Sequence, residues 1–243
     1  MLALIGGTGF NSLGKEIKEE RVSTKYGNAS VYRVSLGEEE AYFIPRHGKN
    51  HTIPPHKVNY RANAQALRNL DVTGIISIFP VNTISKYVPE DLVFIEDFMD
   101  FSGNAQTLFD DFSLGIRHKD MNKTIDVALT DRFEEVALAN KIKIKKGGIC
   151  ATINGPRYET KAEVNAFSKL GANLIDMNAA LEMTILQELE IDYTAIGIVS
   201  KYATGLEKSA KKKVRHEDML ATISKGKKKI DQIMEGLVQF GTM

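Results

Sequence analysis

The chain has 243 residues, 43% of them apolar and 26% charged, with a formal net charge of +1 at pH 7. These proportions match soluble globular proteins and exclude a disordered chain, a collagen-like fibre and a disulfide scaffold. The near-zero charge offers no global field for nucleic acid or an anionic membrane, and the single Cys150 has no internal disulfide partner, as expected in a reducing compartment.

Read in chain order, short apolar runs alternate with segments of helical spacing. Leu2–Ile5 predicts the first strand. Ala29–Val34 and Glu40–Ile44 follow, then a helix over His56–Leu70 with Val58, Ala62 and Ala66 on one face. Gly74–Phe79 and Leu92–Ile95 are near-continuous apolar runs, the mark of strands buried on both faces. Gly148–Ile153 is the next strand. Thr160 with Glu163 three residues on forms a capping box for a helix over Lys161–Leu170. Asn173–Met177, a helix over Ala180–Leu189, the strand Tyr193–Val199 and a long helix over Glu217–Phe240 complete the pattern. Strands alternating with helices predict an α/β fold with a mostly parallel sheet, and no linker or repeat divides the chain. The apolar runs reach only about six to eight residues, too short to span a bilayer. The opening MLALIGGTGF lacks a basic n-region, so the expectation is a cytoplasmic protein without a signal peptide.

Several strand ends carry polar motifs. Gly6-Gly7-Thr8-Gly9 follows the first strand, where glycines permit a tight turn and bring N–H groups close to an anion. A plain tight turn is the alternative. A dinucleotide fingerprint is disfavoured because position 12 is Ser. Arg46-His47-Gly48 follows another strand, at the carboxyl end where open α/β sheets place ligands, and Arg suits a bidentate grip on phosphate, although an Arg-His pair taken alone is more often surface charge. Tyr158 and Glu159 lie in a strand-to-helix loop. They offer an aromatic face for a planar ligand and a carboxylate that accepts from the ring N–H of a 6-oxo base; a loop with a helix cap is the alternative, and it explains Thr160 but not Tyr158 and Glu159. Met177, in Asp176-Met177-Asn178, is an adaptable surface for a sugar face, or ordinary core. His216 opens the last helix as a ligand or a cap. Lys208–Arg215 is basic, but no aromatic residues interleave it, so a solvated helix face is favoured over a polyanion site. Metal-ligand spacing and a G-x-S-x-G elbow are both absent from the sequence.

Taken in order, GGTG, RHG with His51 and HKVNYRAN, Pro89-Glu90-Asp91, Gly155-Pro156-Arg157-Tyr158-Glu159-Thr160, Met177 with Glu182, and His216-Glu217-Asp218 resemble the trimeric nucleoside phosphorylase family. That family contains the purine nucleoside phosphorylases and the 5′-methylthioadenosine phosphorylases. The resemblance spans nearly the whole chain. It implies one domain over residues 1–243, a twisted and partly barrel-like mixed β-sheet flanked by helices. It implies phosphorolysis of a nucleoside to free base and pentose 1-phosphate, with phosphate as co-substrate and no cofactor or metal. By position, Thr8, Arg46, His47 and Asn178 would hold phosphate. Tyr158, Glu159, Met177, Lys201 and His216 would bind the nucleoside, and His47 and Lys201 are the catalytic candidates. His118 would reach a neighbour's site in a homotrimer or dimer of trimers. No nucleic-acid or membrane partner is implied.

Two segments depart from the family pattern. Phe79-Pro80-Val81 stands where the family has a turn of small residues near phosphate and base. Lys201 stands where oxopurine enzymes usually have Asn and methylthioadenosine enzymes Asp. Glu159 and His216 match the purine nucleoside phosphorylase branch, so 6-oxopurine nucleosides such as inosine and guanosine are the expected substrates. A methylthioadenosine or methylthioinosine phosphorylase and a nucleoside-binding paralogue with impaired chemistry are the alternatives.

Overall fold

The computed structural model describes residues 1–113, 115–206 and 216–239, apart from the side chain of His216. Among these residues nine strands form one mixed sheet: β1 (Leu2–Gly6), β2 (Lys15–Thr24), β3 (Gly27–Leu36), β4 (Glu39–Pro45), β5 (Gly74–Thr83), β6 (Leu92–Phe101), β7 (Ile144–Ile153), β8 (Leu174–Asp176) and β9 (Asp192–Tyr202). Their order is β2-β3-β4-β1-β5-β8-β7-β6-β9, and β9 returns to pair with β5. Five strands, β5, β8, β7, β6 and β9, therefore close into a barrel, with β4, β1 and the β2–β3 hairpin as an open wing. Closure removes the unpaired edges that an open sheet would expose. Pairings of β1 with β4 and β5, and of β5 with β9, are parallel, whereas β5–β8 and β6–β9 are antiparallel. The sheet is thus mixed and barrel-like, as the family resemblance implies, and less parallel than the alternation of elements alone predicts.

Among the described residues five α-helices cover the sheet: α1 (Tyr60–Asn69), α2 (Val127–Ala139), α3 (Lys161–Leu170), α4 (Ala179–Leu189) and α5 (His216–Gln239). One apolar core contains Ala62 and Leu67 of α1, Ile185 and Leu186 of α4, and Phe79 and Val81 of β5. A second joins Phe133 of α2 and Ile223, Ile230, Ile233 and Leu237 of α5 to Leu4, Ile78 and Phe94 on the sheet. Such burial of aliphatic side chains stabilises by roughly 1.5–3 kcal/mol each.

Two elements escape the sequence reading. β2 reads KEIKEERVST, mostly exposed and without an apolar face, and exists by pairing with β3 as a charged edge. α2 is capped by Asp126, whose side chain accepts from Leu129 N–H at 2.7 Å. The helix expected from His56 starts later. Pro55–Lys57 is a 3₁₀ turn, Val58 is extended, and Asn59 caps α1 by accepting from Ala62 N–H at 3.0 Å. Phe240, the expected end of the last helix, lies outside the described residues. Among those residues no helix is long and apolar enough to cross a membrane.

Candidate active site

The parallel strands β1, β4, β5 and β9 end on one side of the sheet, and their carboxyl ends open onto a cavity of about 590 Å³. The loops after β7 and β8 close its other walls. Thr8, His47, His51 and Asn178 stand at one end; Tyr158, Glu159, Asn82 and Ser200 stand at the other; Met177, Pro80 and Met219 line the space between.

The first end is built on the glycine turn. A Cβ on Gly7 would lie 2.7 Å from Arg46 Nη1 and 2.8 Å from Pro80 Cδ, so only glycine lets this backbone approach both. Thr8 Oγ1 lies 3.5 Å from His51 Nε2, and the rings of His47 and His51 are 4.8 Å apart. His47 Nδ1 lies 2.9 Å from the carbonyl oxygen of Ile53. A carbonyl only accepts, so Nδ1 carries the proton and Nε2 keeps a lone pair. Burial, and then the Arg46 charge, lower the His47 pKa to about 4. The imidazole is therefore neutral at physiological pH. Asn178 Nδ2 donates to Tyr60 Oη at 2.7 Å. Asp176, ahead of it, accepts from Thr152 Oγ1 and from the N–H groups of Asn178 and Ala179 at 2.7–2.8 Å, pinning the start of α4. Burial raises its carboxyl pKa, and these donors oppose the rise.

Arg46 is not brought to the cavity wall, contrary to the sequence expectation. Its side chain is wholly buried, donating from Nε and Nη2 to Glu182 at 2.6 and 2.7 Å and from Nη1 to the Ile78 carbonyl at 2.9 Å. The Phe79 ring lies 4.2 Å from its guanidinium carbon. Three of the five guanidinium N–H donors are thus given to protein acceptors, two of them to the Glu182 carboxylate as a bidentate pair. The desolvated ion pair holds Arg46 behind the glycine turn.

The other end is built around Glu159, which is only 3% exposed. Its Oε1 accepts from the Thr204 N–H at 2.8 Å and the Thr204 hydroxyl at 3.2 Å. Asn82 Nδ2 bridges both carboxylate oxygens at 3.2 and 3.3 Å. Among the described residues Oε2 has only this shared donor, so it keeps acceptor capacity on a side chain that lines the cavity. Tyr158 presents a half-exposed ring, and its hydroxyl lies 3.9 Å from Met219 Sδ.

Lys201 departs from expectation as well. The β5–β9 register shifts between Val81 and Asn82: Val81 faces Val199, and Asn82 faces Lys201. The extra residue, Ser200, takes the cavity position. Lys201 does not line the cavity; its ammonium lies 3.7 Å from the ring centroid of Tyr158, which does, in a cation–π contact. His118 is away from the cavity, edge-on to Phe112 at 6.1 Å. The side chain of His216 and the Lys208–Arg215 stretch lie outside the described residues. Asn82, Ser200, His51 and Thr204 are site residues to which sequence reasoning gave no role. Asn82 had a signal, as a lone amide in the apolar run IISIFPVNT.

Residues 1–239 match the family model described as the phosphorylase superfamily. A probable 6-oxopurine nucleoside phosphorylase of Moorella thermoacetica is 36% identical over 241 residues, covering 97% of this chain and 92% of that protein. A probable S-methyl-5′-thioinosine phosphorylase of Methanopyrus kandleri is also 36% identical, over 208 residues, covering 85% and 80% respectively. Among solved structures, the methylthioadenosine phosphorylase of Schistosoma mansoni in complex with adenine superposes with a TM-score of 0.89. It is 26% identical and covers 100% of this chain and 92% of that one.

Proposed function

The chain belongs to the phosphorylase superfamily, and from that premise we propose that it cleaves purine nucleosides by phosphorolysis, preferring 6-oxopurine nucleosides such as inosine and guanosine. The observation that carries this reading is the buried Glu159 carboxylate on the cavity wall, whose Oε2 meets, among the described residues, only the donor it shares with Oε1. A 6-oxopurine offers N1–H to such an acceptor. Adenine offers a lone pair at N1, which a carboxylate repels.

Thr8, His47 and Asn178 hold phosphate at the far end. Thr8 and Asn178 donate, and the unprotonated Nε2 of His47 accepts a hydrogen bond from the hydroxyl of the hydrogen phosphate dianion. Arg46 stands behind this subsite in its pair with Glu182. Tyr158 stacks on the base, Met177 lies against the ribose, and His216 meets the 5′-hydroxyl. As the C1′–N9 bond lengthens, its electron pair moves into the base and the sugar becomes cationic at C1′. A phosphate oxygen beneath the ring stabilises that cation and bonds to C1′; phosphate releases its hydroxyl proton as the ester forms, and the departing base takes up one proton from solvent, so the reaction balances. Lys201, on the Tyr158 ring, adds positive field near the base as it gains charge. Phosphate and nucleoside are the only substrates, and no cofactor or metal takes part. The active assembly is a homotrimer or a dimer of trimers, supported by the exposed Phe101, Phe112 and Ile116. Its place is the cytoplasm, consistent with the buried free thiol of Cys150. A polyanion partner has little support, because Lys225 and Lys227 of α5 are paired with Glu90 and Asp231.

One observation favours a second reading with the same base and a 5′-methylthio group. Ile53, Pro54, Pro55 and Met219 give the cavity an apolar stretch of wall. The test is phosphate-dependent base release from inosine, guanosine, adenosine, methylthioinosine and methylthioadenosine. Preference for either oxopurine class over its adenine counterpart is expected. Adenine nucleosides leading the panel would overturn the base assignment. Binding without phosphate-dependent release would mark a nucleoside-binding paralogue.

A further inference from the structure

We propose that Asn82 reads the 6-substituent of the purine, taking the place at the base edge that the sequence offers to Lys201. The inference rests on the reading of this cavity as a purine nucleoside site. Asn82 lies on β5, only 8% exposed, on the cavity wall beside Glu159. Its orientation is fixed from both sides. Oδ1 lies 3.3 Å from the Ser200 hydroxyl, and Nδ2 faces the two Glu159 oxygens. The carboxylate accepts only hydrogens, so nitrogen must be the atom facing it.

An amide nitrogen carries two hydrogens. One shared between the two Glu159 oxygens leaves the other for a ligand. The cavity end then presents a neutral donor next to an anionic acceptor, the complement of the O6 and N1–H edge of a 6-oxopurine. An amide donor and a carboxylate acceptor held this way need no reorganisation when the base arrives. Cleavage of the glycosidic bond places negative charge on the purine, part of it at O6. A hydrogen bond there strengthens in the transition state. Lys201 does not take this role, because the bulge at Ser200 turns it onto Tyr158. Glu159 does not depend on Asn82 for its place, since Thr204 holds Oε1 by two further hydrogen bonds. The contribution of Asn82 to base recognition is therefore separable from that of Glu159.

The experiment compares hypoxanthine with 6-thiohypoxanthine, which keeps N1–H but replaces O6 by a much poorer acceptor. Binding of each to the full chain is measured by calorimetry, before and after Asn82→Ala. Loss of one buried hydrogen bond should weaken hypoxanthine about tenfold, and the thio analogue less than about threefold. Thermal melting checks the fold, and Asn82→Ser, which keeps a donor beside Glu159, replaces the alanine variant if that does not fold. Equal weakening of both bases would mean that Asn82 only positions Glu159, and no weakening of either would remove it from the site; both overturn the proposal. Inosine phosphorolysis by the unmodified protein is measured in parallel. Its absence would fault the functional reading, while the contrast between the two bases still decides the role of Asn82.

Discussion

Arg46→Ala separates two roles for this guanidinium: a ligand for phosphate, or half of an internal ion pair. The structure supports the second. Arg46 makes three hydrogen bonds of 2.6–2.9 Å, two to Glu182 and one to the Ile78 carbonyl, and its guanidinium lies against the Phe79 ring. Glu182 is 3% exposed, and Arg46 is its one ion-pair partner among the described residues. Truncation leaves a desolvated carboxylate without its countercharge, which costs about 3–5 kcal/mol. At about 2–4 °C per kcal/mol for a chain of this size, the melting temperature should fall by roughly 6–20 °C. Urea unfolding followed by circular dichroism gives the free energy, and phosphate titration of the folded variant gives affinity. Arg46→Met combined with Glu182→Leu removes both charges and should recover much of the loss, because an apolar pair of similar volume replaces the ion pair at little net cost. The reasoning is refuted if Arg46→Ala unfolds within about 1 kcal/mol of the parent while phosphate affinity drops tenfold or more. That outcome would place the guanidinium on the anion.

Three other outcomes are expected. Glu159→Gln should lower kcat/KM for inosine by roughly 10–100-fold, the worth of a hydrogen bond to a charged group, and narrow the preference over adenosine; steady-state kinetics on both nucleosides checks it. The folded state depresses the His47 pKa to about 4 from an ordinary 6.5, so the unfolded chain binds the extra proton between these values. Stability should therefore be fully present above about pH 6.5 and fall by up to roughly 3 kcal/mol toward pH 4, and His47→Gln should flatten that slope in urea titrations across the window. Light scattering at micromolar concentration should give the mass of a trimer or hexamer, and a stable monomer would remove the proposed assembly.

Much of the framework is legible in the sequence because its signals are local. The capping box at Thr160 and Glu163 forms as read, with Glu163 Oε2 accepting from the Thr160 N–H at 2.8 Å and the Thr160 hydroxyl accepting from the Glu163 N–H at 3.2 Å. The buried runs Leu2–Ile5 and Gly74–Phe79 are central strands of the sheet. What the sequence hides is partnership across distance. Arg46 and Glu182 are 136 residues apart, and nothing in RHG says which way its arginine turns. Thr204 and Glu159 meet across 45 residues. Lys201 and Ser200 exchange places through one extra residue in a strand pairing, a shift without a composition signal. β2 has no apolar face, so its existence depends on β3 rather than on its own pattern.

Phe79-Pro80-Val81 shows the same division between identity and direction. By composition, a phenylalanine in place of a small residue should crowd the pocket. Side chains on a strand alternate between faces, so the effect of each residue depends on its parity. Phe79 and Val81 fall on the face that packs into the core with α1 and α4, where both are essentially inaccessible. Pro80 and Asn82 fall on the cavity face. The bulk of Phe79 therefore lies beneath Arg46 and supports the ion pair instead of filling the site. Pro80 puts a compact ring against the glycine turn, within 2.8 Å of where a Gly7 Cβ would stand. Its missing N–H removes one backbone donor, and Asn82, two residues on, adds a side-chain donor on the same face. The segment thus changes which groups meet the ligand without closing the cavity.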